Sequence, residues 1–438
     1  MTEQQLKRSV TFIQAIALVI GMIIGSGIFL KPGIVLENAG SPVMGMLAWI
    51  AGGIITLASA LTIAEIAAAI PKTGGLYTYL EELYGETWGF LLGWVQTVIS
   101  YPASVAALAI AFATFSSYFI PLNALGQKLL AVVVLIFVLA MNIIATKYGG
   151  MIQTISTIGK LLPIGIIIIF GLMNGNVHDF TLAPVTATGA GFGAAILGTL
   201  WAYDGWIGVT NMAGELKNPS KELPRAIILG VATVIIVYVL VNMAMLNVMS
   251  AEDIITSKRP ASDAATILFG SGGAAFITVG IMVSVFGALN GYLMTGARVP
   301  LAMGERGHLP FSQFLRNLHP SFGTPANALM IEGALSVAYI FSGTFNTLTD
   351  LLVFVLWIFF MMGVAGVFIL RRRIPEAQRP YKVPLYPIVP FIGIAGGVYI
   401  LYSTIISAPI RSFVGIGITL AGLPVFYFVI NKRNKKKH

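Results

Sequence analysis

Long apolar runs separated by short polar stretches fill this chain, and each run is about as long as a helix that crosses a hydrocarbon layer, some 20 residues. They occupy residues 12–36, 42–70, 86–115, 129–146, 151–174, 191–213, 226–249, 272–302, 324–342, 348–370, 386–408 and 412–431. The pattern predicts an all-α integral membrane protein with twelve transmembrane helices, forming a single unit over residues 1–438. The first run is too long for a leader, has no small-residue cleavage site and is followed at once by more runs, so no cleaved signal peptide is expected.

Two of the runs contain a weak point. The first carries Gly25-Ser26-Gly27, residues poorly suited to the middle of a helix that must cross lipid. A bilayer core offers no water to free amides and carbonyls, so a broken helix persists only where its backbone is buried in protein or lines a cavity. Gly21 and Gly25 also have a small-xxx-small spacing that would let two helices pack closely, so this run alone leaves packing and a site equally open. The sixth run supplies a counterpart, Trp201-Ala202-Tyr203-Asp204-Gly205-Trp206, in which Asp-Gly is a turn pair.

If spans one to five and six to ten are two structural repeats, each opens with an interrupted helix, as in transporters whose site lies at mid-membrane between inverted repeats. This pairing rests on hydropathy and break position, because no internal similarity is visible by eye. The predicted units are residues 12–174 and 191–372, followed by two helices within 386–431 and a basic tail, 432–438. The half-helix starting after Gly25 presents free amides suited to a carboxylate, and the half-helix ending near Trp201 and Ala202 presents free carbonyls suited to an ammonium. Each such helix-end contact is worth about 0.3–2 kcal/mol. Micromolar to millimolar binding needs only about 4–8 kcal/mol, so a backbone receptor for the zwitterion of an α-amino acid is energetically sufficient.

Composition sharpens this picture. Hydrophobic residues make up 57% and charged residues 10%, far below the roughly 25% charge of a soluble domain. With twelve crossings both termini share a side, and that side holds twenty of the 26 Lys and Arg residues. Five lie opposite (Lys31, Lys128, Lys258, Arg259 and Arg411), and Lys160 lies within a span. The positive-inside rule then predicts cytoplasmic termini in a cell inner membrane. The same bias accounts for the net charge of +9 through lipid headgroups, with no nucleic acid partner. The chain has no cysteine, which excludes a disulfide-linked subunit and a thiolate metal site, and its four histidines include no HExxH pair.

At the two breaks and several loops the chain resembles the amino acid, polyamine and organocation transporter superfamily, in its L-amino acid transporter branch. The matching elements include Ile23 to Phe29, Ala64-Glu65, Pro71 to Leu80, and Gly85, Gly89 and Gly93-Trp94. Trp201 to Trp206, Gly214-Glu215, Asn218-Pro219, Leu223-Pro224, Gly304 to Pro310 and Arg371 to Pro384 continue the series. Among subgroups it looks most like bacterial serine/threonine and alanine/serine/cysteine exchangers. The resemblance implies a fold of two five-helix inverted repeats with broken first and sixth helices and two added C-terminal helices. It further implies a moving bundle of spans one, two, six and seven, a scaffold of three, four, eight and nine, and gating arms five and ten. Animal members attach to a glycoprotein through a cysteine in the loop after span three, and the corresponding loop here, Phe119 to Gly126, has none.

Candidate site residues follow. Ser26 and Gly27 would offer amides to the substrate carboxylate, with Ile23 and Gly25 shaping the approach. Trp201 and Ala202 would offer carbonyls to the amine, and the resemblance also makes Trp201 an aromatic gate. Asp204, costing about 2.5–3.5 kcal/mol within a membrane, is either a ligand of the amine or a cap of the broken helix. The resemblance implies that the Lys160 ammonium replaces the sodium of ion-coupled relatives and reaches first-span carbonyls near Gly21 and Met22. It likewise places Tyr238 near substrate and lysine, and Trp357 near the side-chain pocket. Glu65, Glu332 and Asp350, in or at the edges of spans, are unranked as gates or caps.

Together these readings predict a sodium-independent exchanger of small neutral L-amino acids, serine, threonine or alanine, without cofactor or metal. A proton-coupled symporter in which Lys160 or Asp204 titrates is the alternative within transport. An intramembrane enzyme lacks a placed nucleophile, metal triad or aspartate pair, and a channel or receptor would not need two opposed breaks.

Overall fold

The computed structural model describes residues 10–144, 146–185 and 189–435, so the end of the basic tail, 436–438, lies outside the described residues. Among these the regular structure is helical, apart from one bridge between Val10 and Leu216. The chain opens with α1 (Phe12–Ile23), α2 (Gly27–Leu30), α3 (Pro32–Ala39), α4 (Pro42–Ala69), α5 (Leu76–Tyr84), α6 (Glu86–Val95) and α7 (Tyr101–Ser116). Next come α8 (Ala124–Ile144), α9 (Thr146–Asn174), α10 (Phe192–Ala202), α11 (Gly208–Asn211), α12 (Pro219–Val248), α13 (Ala251–Thr256) and α14 (Pro260–Gly296). The last are α15 (Arg298–Glu305), α16 (Ser312–Leu315), α17 (Ala326–Ser342), α18 (Phe345–Arg373), α19 (Ile388–Ser407), α20 (Pro409–Leu420) and α21 (Gly422–Lys435).

Among the described residues, ten helical segments are long and apolar enough to cross a membrane, including Phe12–Leu30, Pro219–Val248 and Pro260–Glu305. Two shorter apolar helices, Phe192–Ala202 and Ala326–Ser342, occupy the stretches in which the sequence predicts the sixth and ninth crossings. The eighth differs from its predicted bounds. It starts at Pro260 and bends at Gly270, whose φ of 69° only glycine adopts without strain.

Local chemistry sets several starts. Thr11 and Gln14 form a capping box on α1, Thr344 and Thr347 form one on α18, and Ser41 caps α4 ahead of Pro42 at the first helical position.

Burial separates core helices from the periphery. From Ala17 to Ile23 every residue of α1 is buried, as expected of a helix that is apolar all round and surrounded by others. Its neighbours are α9, α12 and α14, while α12 also packs on α4, and α10 lies against α3, α4 and α19. Conversely α8 leaves Leu129, Val133, Ile136 and Phe137 exposed, and α20 leaves Ile410 and Phe413 so. An apolar surface of that extent belongs against hydrocarbon rather than water.

Candidate functional site

The first break forms as the sequence predicts. α1 ends at Ile23, Ile24 leaves the helical region at φ −75° and ψ 81°, and helix resumes at Gly27, continuing through Lys31 into α3. In the first helical run after the break, the leading amides have no intrahelical acceptor, and the last carbonyls of α1 have no intrahelical donor.

Side chains of α9 and α14 reach the carbonyls on this side of α1 and at the break. Lys160 on α9 donates from Nζ to the carbonyls of Gly21 and Ile24, each at 2.7 Å. Ser284 on α14 donates to Ile24 O at 3.0 Å, and Thr157, one turn before Lys160, donates to Ala17 O at 2.9 Å. The expected carbonyls were those of Gly21 and Met22. Ile24 takes the place of Met22 because unwinding at Ile24 turns its carbonyl out of the helical direction, within reach of both α9 and α14. A cation at a helix C-terminus also meets the favourable end of the helix dipole.

The second break follows Ala202. Tyr203 to Ile207 form a turn, with Gly205 at φ 104°, and α11 begins at Gly208. Position 205 requires glycine twice over, since a Cβ there would stand 3.0 Å from Met22 Cβ as well as in a left-handed conformation.

The two breaks touch. A Cβ added to Gly27 would lie 2.5 Å from Ala202 Cα, so main chain meets main chain with no side chain between. Tyr238 of α12 spans the junction, its buried hydroxyl lying 2.8 Å from Ile23 O and 2.9 Å from Ala202 O. Its ring packs at 5.1 Å from Tyr203 and edge-on to Trp49 at 5.6 Å. Beside this junction two buried polar atoms have no hydrogen-bond partner among the described residues, Ser26 Oγ and Trp201 Nε1.

Asp204 is not directed by a cation. Its Oδ2 accepts from the Tyr292 hydroxyl at 2.8 Å, and the carboxylate also accepts from the Gly205 amide. Trp201 stands edge-on to Phe345 at 6.0 Å, and Trp357 is one ring removed from the second break, against Phe360, which packs on Trp206. Ser26, Gly27, Trp201, Ala202 and Tyr238 are thus gathered at one point, Lys160, Ile23 and Gly25 border it, and Trp357 stands behind it.

Sequence reasoning did not single out Thr157, Ser284, Tyr292 or Phe345. Thr157 had a signal, its spacing of three from Lys160 on one helical face. The unranked acids differ in kind. Glu65 accepts from Arg371, Arg379 and the Val383 amide and so ties the end of α18 and the segment after it to α4. Glu332 is buried with neither carboxyl oxygen hydrogen-bonded among the described residues, and Asp350 pairs with Lys31 at 3.3 Å.

Residues 10–430 match the amino acid permease family. The chain is 47% identical over 423 residues to the serine/threonine exchanger SteT of Bacillus subtilis, covering 96% of this chain and 97% of that one. It is 32% identical to the human cystine/glutamate transporter over 97% of this chain and 86% of that protein. It is 33% identical to the mouse large neutral amino acids transporter small subunit 2, over 99% and 83% respectively. The chain belongs to the amino acid permease family: it is a membrane transporter of the amino acid, polyamine and organocation superfamily, not an enzyme.

Proposed function

We propose that this permease exchanges small neutral L-amino acids, of the serine and threonine kind, by sodium-independent alternating access around the junction of the two breaks. The observation that carries this reading is the main-chain contact of Gly27 with Ala202 beside the unpartnered Ser26 hydroxyl. When the breaks part, the amides at Ser26 and Gly27 receive the substrate carboxylate, and the Ala202 carbonyl receives the ammonium. That carbonyl has two lone pairs, so it accepts the ammonium beside or in place of the Tyr238 hydroxyl. Trp201 closes over the ligand with Phe345, and Ile23, Gly25 and Trp357 shape the remaining surface. Asp204, held by Tyr292 and Gly205, acts as a cap of the broken helix.

The Lys160 ammonium ties the first span to the fifth while Ser284 ties it to the eighth, a tethered charge where other transporters of this fold hold a dissociable ion. The arrangement comprises twelve crossings in two inverted repeats, 12–174 and 191–372, then helices 11 and 12, with both termini and the basic tail on the cytoplasmic side of the plasma membrane. The high identity to a serine/threonine exchanger supports the substrate class. Counterflow in proteoliposomes against a panel of amino acids, with and without sodium and proton gradients, tests the reading. Uptake of labelled serine or threonine only against internal amino acid is expected. Net uptake driven by a proton gradient into empty vesicles would establish the symporter instead.

A further inference from the structure

Apart from the junction of the breaks, a cavity of about 210 Å³ opens at the end of the bundle that carries Lys31, Asp350 and Arg411. Leu197 of α10 and Phe354 of α18 line it and are buried, whereas Ser407 and Arg411 line it and are exposed. Lys31, Thr404 and Ser412 add buried polar groups to the lining, so the cavity is mixed in character at depth and polar at its rim.

Its charges have unequal freedom. Lys31 is 1% exposed and donates to Asn346 Oδ1 at 3.2 Å, Thr349 Oγ1 at 2.9 Å and Asp350 Oδ1 at 3.3 Å. An ammonium has three protons, and all three are committed. Arg411 is 54% exposed, and among the described residues its contact is a single long one, Nη1 to Asp350 Oδ2 at 3.5 Å. A guanidinium carries five N–H donors in a fork matched to a carboxylate, so Arg411 keeps most of its capacity for a ligand. Two cations around one carboxylate leave room for an added negative group, and Asp350, 30% exposed, remains able to accept an ammonium.

The cavity adjoins the junction without being part of it. Leu197 and Gly198 stand about one turn before Trp201 on α10, and Lys31 about one turn beyond Gly27. Phe345 forms the wall between them, edge-on to Trp201 at 6.0 Å and 5.4 Å from the Lys31 ammonium.

We propose that this cavity is a second binding site for the free amino acid zwitterion, with its carboxylate on Arg411 and its ammonium on Asp350. Substrate docks there on the face away from the termini and passes the Trp201–Phe345 wall when the breaks part. This rests on the exchanger reading.

The test is exchange kinetics of the full-length chain in proteoliposomes, with half-saturation measured separately on each face. Arg411→Gln is expected to raise the constant on the Arg411 face about tenfold, the scale of one charge-assisted hydrogen bond, and to leave the opposite face within about twofold. Arg411→Lys recovers part of the loss, because it keeps the charge without the fork. Ser407→Trp, which fills the rim, gives the same one-sided shift. The opposite face reports that each variant is folded. Unchanged constants in both Arg411→Gln and Ser407→Trp, or equal shifts on both faces, would overturn the proposal. Absence of any amino acid exchange by the unaltered chain would instead overturn the exchanger reading, and this site with it.

Discussion

Replacing Lys160 by methionine keeps a stem of similar length and removes the ammonium that caps the first break. The lost contacts are those from Nζ to Gly21 O and Ile24 O, each at 2.7 Å. Hydrogen bonds from charged groups contribute about 1.5–3 kcal/mol each. Ser284 retains Ile24 O at 3.0 Å, so the loss falls mainly on the Gly21 carbonyl, and the net figure is about 2–4 kcal/mol. At about 1.4 kcal/mol per factor of ten, the balance between conformations that hold the break against α9 and those that release it moves roughly 30- to 700-fold. The apolar surround of α1 is untouched, so the unfolding midpoint falls by no more than about 10 °C. Counterflow exchange measured from both faces of oriented proteoliposomes, beside thermal unfolding of the purified protein, separates the two effects. The expected result is a loss of exchange, or a divergence of the half-saturation constants on the two faces, in a protein that still folds. Kinetics equal to the unaltered chain on both faces would refute a transport role for Lys160, and failure to fold would make it a structural anchor.

Two further outcomes are expected. Gly27→Ala places a methyl group 2.5 Å from Ala202 Cα, and relieving that overlap costs about 1–3 kcal/mol. The closed junction is then disfavoured about 5- to 150-fold, and because substrate enters when the breaks part, the half-saturation constant falls by up to that factor; an unchanged constant would show that the breaks do not close on each other. His308, beyond the end of α15, accepts from the Tyr77 hydroxyl at Nδ1 (2.7 Å) and donates from Nε2 to Glu86 (2.8 Å), the pattern of a neutral ring. Burial, only partly offset by Glu86, holds its pKa below the usual 6.5. The unfolded chain therefore takes up a proton where the folded one does not, so this residue's contribution to stability is complete above about pH 6.5 and is lost as pH falls below it. Unfolding midpoints of the unaltered chain and His308→Asn, measured from pH 5 to 7.5, should diverge on the acid side; parallel curves would remove His308 from the pH response.

The two breaks were legible because glycine pairs and an Asp-Gly turn stand out within runs that must otherwise be continuous helix. Lys160 stood out as a lone basic residue within a span, and its reach to first-span carbonyls was implied by the family resemblance. Which carbonyls it reaches depended on how Ile24 unwinds, a backbone rotation that no side-chain pattern encodes. Hydroxyls such as Ser284 and Tyr292 carried no signal at all, because similar residues recur throughout the spans and only tertiary neighbours distinguish them. Asp204 shows the limit: its partner lies 88 positions away in the chain, so its cap-like setting emerges from packing alone. The sixth and ninth helices fall short of a full crossing in length, and hydropathy merged the sixth with the apolar turn that follows it.

The contact of Gly27 with Ala202 bears on how selectivity can diversify. On the proposed reading, the portion of the ligand common to every amino acid is held by peptide groups, which substitution cannot readily alter. Changes of cargo must then arise in the surrounding rings and aliphatic residues, while the grip on the common portion persists through sequence drift. Relatives named for cystine and glutamate and for large neutral amino acids remain 32% and 33% identical to this chain. A main-chain receptor gives such a lineage a fixed handle and a replaceable cup.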